Sequence, residues 1–301
     1  MASSNFWLFL DNPFARRDSY DRYSLSSYRL LVPLSWALVV VIGVYYTISA
    51  PNDIKHGHSI FTQADRHITP FSLNIIVTGI FWILLLLSQL SYVYHLFHRD
   101  EAIVTATANV GTHFILNNLL IFAWILLWTR NHFWGSEVIL IVNFVNQLVA
   151  YWRHRTLPRI VHLATIAGPF AWTLVALFWN GAVAVKSNSQ AARIAANVFI
   201  WVIYVIGTAH ITVAQDDLLG YCLSFLSFGL ALKQIAVKTI ALQWIFAFVI
   251  FAVFLVNSLY VSITRRSGRD IFFRKRVLPE ATDREREPLL SDQAQQPPTA
   301  S

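Results

Sequence analysis

Eight stretches of this chain are apolar for long enough to cross a lipid bilayer, and this limits the possible fold more than any other feature. They run over about 30–49, 71–97, 105–129, 135–152, 160–184, 194–213, 217–234 and 239–263. A helix needs about 20 residues to cross roughly 30 Å of hydrocarbon. Backbone groups in that layer have no water to bond, so a spanning segment must satisfy its own N–H and C=O groups. The expected fold class is all-α: a polytopic transmembrane helix bundle of about eight spans. Composition agrees, because 56% of the 301 residues are hydrophobic and only 13% are charged, against roughly 25% charged in soluble domains.

The basic residues set the orientation. With the N-terminus in the cytosol, fourteen Lys and Arg fall on cytosolic segments, including Arg16, Arg17, Arg22, Arg29, Arg153, Arg159, Arg265 and Arg266. Seven fall on the other side: Lys55, Arg66, Arg130, Lys186, Arg193, Lys233 and Lys238. Positive charge collects on the cytosolic face of membrane proteins, so both termini are expected inside and the span count even. The weakest span is the seventh. Its purely apolar part, Leu218–Leu232, is short, and Lys233 and Lys238 follow it closely, so a re-entrant segment is the alternative.

This organisation gives a cytosolic segment at 1–29, a helical membrane domain at 30–264 and a basic, then polar and disordered, tail at 265–301. The start of the chain lacks the pattern of a signal peptide, since Phe6–Leu10 is too short an apolar run. The formal charge of +7 reads as topology and contact with anionic lipid, not as nucleic-acid binding. Cys222 is the single cysteine, which excludes an intrachain disulfide and a cysteine metal site.

Polar groups inside hydrocarbon are costly, and so they are informative. The second span carries Asn74, Trp82 and Gln89, and the third carries His113, Asn117, Asn118, Trp124 and Trp128. The fifth carries Gly168-Pro169-Phe170, Trp172, Trp179 and Asn180. Asn117, Trp124 and Trp128 share one helix face, as do Trp172 and Trp179. Such residues serve either as interhelical packing glue or as the wall of a pocket for a flat, mostly apolar ligand.

The order Pro70…Trp82…Tyr94, Asn117-Asn118…Trp124…Trp128 and Pro169…Trp172…Trp179-Asn180 resembles the translocator protein family, the tryptophan-rich sensory proteins. The likeness covers roughly residues 68–187. It implies a five-helix inner unit that binds porphyrin or sterol-like ligands, with Trp82, Asn117, Trp124, Trp172 and Asn180 lining the pocket. Asn12-Pro13-Phe14-Ala15-Arg16-Arg17 and the run Tyr28–Trp36, taken with most of the chain, are similar to an uncharacterised fungal multi-pass family, which implies no activity.

Among the ten histidines, His56, His58 and His67 lie in one outer loop. No cysteine or helical His-x-x-x-His spacing accompanies them, so a solvated, pH-responsive loop is preferred to a metal site. His113 and His210 are buried histidines or proton-linked groups. Asp216-Asp217 open the seventh span, where acids suit the helix dipole. As a chelate they are poor, because helical neighbours point about 100° apart.

Two cytosolic patterns address traffic. Glu285 with Leu289-Leu290 fits an acid, three residues and two leucines, the pattern clathrin adaptors read in a flexible tail. Asn12-Pro13-Phe14 fits a tripeptide read by endocytic adaptor domains, or else an Asx-Pro turn. No nucleophile elbow, phosphate-binding glycine loop or metalloprotease helix is present, so neither an enzyme nor a cofactor is expected. The leading expectation is a membrane protein that binds or moves a small apolar or aromatic ligand. The alternatives are a proton- or ion-coupled transporter and a structural or trafficking component. The expected location is an endomembrane, vacuolar or otherwise post-Golgi.

Overall fold

A computed structural model of the chain describes residues 13–154, 157–186, 189–238 and 242–267. Among them lie α1 (Arg22–Ile48), α2 (Ile60–Arg66), α3 (Ile75–His95), α4 (Glu101–Asn109), α5 (Gly111–Thr129), α6 (Phe133–Arg153) and α7 (Arg159–His162). A π-helical turn (Leu163–Ala167) joins α7 to α8 (Gly168–Ala184), and α9 (Gln190–Val213), α10 (Asp217–Val237) and α11 (Gln243–Ser267) follow. The α7–π–α8 run counts as one span, and eight segments are long and apolar enough to cross a membrane.

Local sequence explains where these helices begin. Asp21, Ser59, Asn74, Asp100, Ser189 and Asp216 each accept a backbone N–H of the first turn, which satisfies donors the helix itself leaves open. The Asp21 cap starts α1 at Arg22, earlier than the apolar run suggests. The expected third span divides at Val110 into α4 and α5. Gly111 lies against the Tyr28 ring, where a Cβ would come within 2.6 Å of Cδ1. Pro169 has no N–H to give to the preceding turn, and the π-helical turn sits directly before it.

The helices alternate in direction, and the contacts at their ends sort into two layers. At the basic end, residues 13–21 form a strap. The Arg17 N–H donates to Asn109 Oδ1, Thr112 Oγ1 donates to the Pro13 carbonyl, and Arg153 donates to the Phe14 carbonyl. At the opposite end, Arg130 pairs with Asp53, Lys233 pairs with Asp65, and the Gln234 amide donates to the carbonyls of Thr69 and Ser72. Residues 49–74 are therefore knitted to the bundle, and α2 within them contributes Gln63 to the core at 0% exposure. Within that stretch His56 is exposed and His58 and His67 are half-buried.

The two-layer pattern settles the course of the seventh span. Asp217 at the start of α10 meets Arg159 and Arg265 at the basic end. Lys233 and Gln234 at its other end meet the opposite layer. Helix α10 thus runs the length of the bundle, about 30 Å for its 21 residues, and is not re-entrant. It packs along α11, where Gly220 leaves room for Ser258 and Gly207 of α9 for Phe254.

Candidate functional site

The innermost segment is α7–π–α8, most of whose residues are buried. Its position brings the tryptophans of three spans together. Trp172 of α8 meets Trp82 of α3 edge to face at 5.1 Å between ring centroids, and Trp124 of α5 at 6.0 Å. Trp179 meets Trp128 at 4.9 Å and Trp124 at 6.5 Å, and Trp124 stacks on Trp128 at 5.7 Å. Offset and edge-to-face geometries are those that ring quadrupoles favour.

Four of these rings form one wall of a cavity of about 310 Å³ in the half of the bundle away from the basic end. Aliphatic residues of α1, α2 and α3 complete it, among them Val39, Ile60 and Ile83. Gly43 of α1 and Gly79 of α3 are also on the wall, and a Cβ at either would meet nothing within 4 Å. The neighbouring Val44, Ile48, Ile76 and Ile83 are exposed on the outside of the bundle. The cavity therefore opens sideways between α1 and α3, towards the lipid.

Its wall is almost wholly apolar. The indole Nε1 atoms of Trp124, Trp172 and Trp179 are packed away from the cavity surface, with no hydrogen-bond partner among the described residues. By contrast, Trp128 Nε1 donates to the Ile60 carbonyl. Indole is a donor only, and a buried donor without an acceptor costs about 1–3 kcal/mol.

Asn117 and Asn180 are not on this wall, contrary to what the resemblance implies. Asn117 Oδ1 accepts from Asn143 and from Gln147 of α6, and its amide donates to Asn118, which donates to Ser35 of α1. Asn143 also donates to Thr173 of α8. Asn180 Oδ1 accepts from Ser136, and its amide donates to Glu137 and to the Phe133 carbonyl. These amides tie α1, α5, α6 and α8 together through the apolar layer.

Sequence reasoning missed Asn143, Asn146, Gln147 and Glu137. The signal was present: α6 places Asn143, Asn146 and Gln147 on one face at helical spacing, and Glu137 is an acid inside an apolar run. His113 Nδ1 lies 2.8 Å from Asn146 Oδ1, and its ring packs on Phe14 at 4.9 Å and on His154 at 5.5 Å. Phe14 of the Asn-Pro-Phe tripeptide is thus docked on the bundle, while Asn12 lies outside the described residues. Glu285, Leu289 and Leu290 lie outside them too. His210 Nδ1 lies 2.8 Å from the Ile206 carbonyl, in a pocket of Tyr151, Trp152 and Phe170.

In the outer loop, partial burial first, then Arg66, His67 and His56, lower the pKa of His58. The ring of His67 packs on Phe133.

At the basic end, Asp217 accepts both Arg159 guanidinium nitrogens, at 3.1 and 2.6 Å, and Arg265 at 2.9 Å. Asp216 Oδ1 caps α10 through the Leu219 N–H, and Oδ2 lies 2.7 Å from His162 Nε2. Burial raises the Asp216 pKa, but His162, the Leu219 N–H and Tyr151 together hold it below the usual carboxylate range.

No curated protein and no solved structure matches the chain. The stretch that carries the likeness to the tryptophan-rich sensory proteins, about 68–187, holds four span-length helices, α3, α5, α6 and α7–π–α8, where that family has five. That likeness rests on residues of this chain alone. Residues 193–290, which take in most of α9 and all of α10 and α11, match a family model described as a fungal protein of unknown function (DUF1774).

Proposed function

We propose that this membrane protein binds, or carries between sites in the membrane, a small flat ligand that is largely apolar or aromatic. It does so without chemically transforming the ligand. One observation carries the reading: an almost wholly apolar, tryptophan-walled cavity that opens towards lipid. A volume of about 310 Å³ is at the lower end of the roughly 300–1,000 Å³ of ligand sites, and the open side lets a longer ligand project into the bilayer. The aromatic faces of the wall would take the flat body of such a ligand.

The test is tryptophan fluorescence of the purified protein titrated with sterols and porphyrins, with Gly79→Leu as the blocking variant. Saturable quenching that Gly79→Leu removes supports the reading. A response no larger than that of empty micelles, or one unaltered in Gly79→Leu, rejects it.

For location we propose a post-Golgi, vacuolar membrane reached through adaptors of the clathrin type, on the strength of Glu285 with Leu289-Leu290. A tagged chain carrying Leu289-Leu290→Ala should shift compartment. An unchanged distribution rejects the signal.

A further inference from the structure

A second recess, of about 260 Å³, opens at the basic end between α7, α10, α11 and the α9–α10 turn. Its polar wall is Arg159, His162, Gln215, Asp216 and Arg265, and its apolar wall includes Leu157, Val213 and Leu218. The two arginines are held in place from behind. Asp217, 0% exposed, takes two bonds from Arg159 and one from Arg265, and the Gln215 carbonyl takes a second from Arg265. Gln215 presents that carbonyl from a left-handed backbone conformation, φ 52°.

The acids of the recess are already engaged, and the cations are not exhausted. Both oxygens of Asp216 are occupied, by the Leu219 N–H and by His162, and both oxygens of Asp217 by the arginines. A guanidinium carries five N–H donors. Each arginine spends only part of that number in the bonds above, and the Arg159 and Arg265 side chains are 52% and 46% exposed. Arg266 follows Arg265 in the last turn of α11. The recess thus offers two oriented guanidinium groups, fixed about 30 Å from the other end of α10, at the level where lipid headgroups lie.

We propose that this recess binds the phosphate of an anionic phospholipid headgroup, with Arg159 and Arg265 as the two donors and Leu157, Val213 and Leu218 against the first carbons of the lipid. Planar guanidinium forks suit phosphate oxygens, and the leaflet beside a basic protein face is where anionic lipid collects. The apolar wall favours a lipid over a free anion. The arrangement also gives a role to Asp217 that a dipole partner would not need, since it orients both arginines at once. Asp216, Asp217 and Arg265 lie inside the stretch matched by the fungal family model.

The test uses the full chain in nanodiscs of phosphatidylcholine alone and with phosphatidic acid or a phosphatidylinositol phosphate added, and in a third arm with free inositol phosphate. Native mass spectrometry counts bound lipid and thermal unfolding reads protection. Monoester lipid should be retained and should protect, with affinity weakened roughly tenfold or more by Arg265→Lys, given the worth of a charge-assisted bond. Leu157→Trp should abolish binding by filling the recess without touching a charge, so the proposal stays testable if the arginine variant folds poorly. Protection by lipid with none from free inositol phosphate supports the site as stated. Protection by the free anion alone overturns the lipid as its occupant. Equal retention of phosphatidylcholine, or retention unaltered in both variants, overturns the site itself.

Discussion

Trp172 meets Trp82 edge to face across the boundary between α8 and α3, with ring centroids 5.1 Å apart, and both rings are on the wall of the lateral cavity. Trp172 also touches Trp124 and Trp179, so it is the ring through which the aromatic wall is joined. Trp172→Ala should therefore destabilise the bundle by about 3–5 kcal/mol, the usual cost of truncating a buried aromatic. Trp172→Phe should cost far less, because it keeps a buried ring on the wall. Chemical unfolding of the two variants in mild detergent checks the contrast.

Glycines on the cavity and in the helix contacts should respond in opposite ways. Gly43→Ala and Gly79→Ala place a methyl in open space inside a helix and should stabilise by about 0.5–1 kcal/mol. Gly207→Ala drives the new Cβ into the Phe254 ring and Leu223, at a cost of about 1–3 kcal/mol for an overpacked core. Parallel melting curves of the three proteins check the contrast.

Asn117 Oδ1 serves two donors, whereas Asn118 reaches Ser35 through one bond. Asn117→Leu should strip acceptors from Asn143 and Gln147 and cost about 1–3 kcal/mol for the unpaired groups. Asn118→Leu removes the bond to Ser35 and the acceptor of the Asn117 amide, and should cost about 1 kcal/mol, at about 0.6 kcal/mol for each bond inside the membrane. A ranking of Asn118 above Asn117 in unfolding titrations would contradict the network.

The salt bridges at the basic end are asymmetric in burial, and so should be their deletions. Asp217→Ala leaves two half-exposed arginines that water can reach, and a loss of about 1 kcal/mol is expected, near the value of surface pairs. Arg159→Gln with Arg265→Gln leaves a fully buried carboxylate, and about 3–5 kcal/mol should be lost. Denaturation of the two proteins under identical conditions decides this.

Acid should weaken the fold in a defined window. Burial pushes the His154 pKa down to about 4, and His113, Arg153 and Arg16 push the same way. The unfolded chain, with His near pH 6.5, then binds more protons than the folded one, so stability falls as pH drops from about 6.5 towards 4. Asp216 adds a loss at lower pH, where its depressed carboxyl finally takes a proton. His154→Gln should flatten the first part of the profile and leave the second, which unfolding measured across pH will show.

The course of the chain was largely legible because hydrocarbon thickness sets span length and a deficit of charge marks each span. What hydropathy cannot express is which helices touch. The tryptophans showed their faces in the sequence, but not that Trp124 and Trp128 turn to α8 while Asn117, on the same helix, turns to α6. Asp216 acts as the helix cap its position suggested. Its neighbour Asp217 points about 100° away and reaches arginines 58 and 48 residues distant in sequence, a pairing no local rule contains. Glu137 stood in plain view as the acid of α6, yet its partner Asn180 lies 43 residues away.

The sideways mouth between Gly43 and Gly79 fixes the currency in which binding has to be measured. A ligand reaching the tryptophans through that mouth arrives from the acyl chains, so occupancy follows its mole fraction in the leaflet and not its concentration in water. Diluting a sample with buffer at constant lipid should leave the site as full as before, while adding empty lipid should drain it.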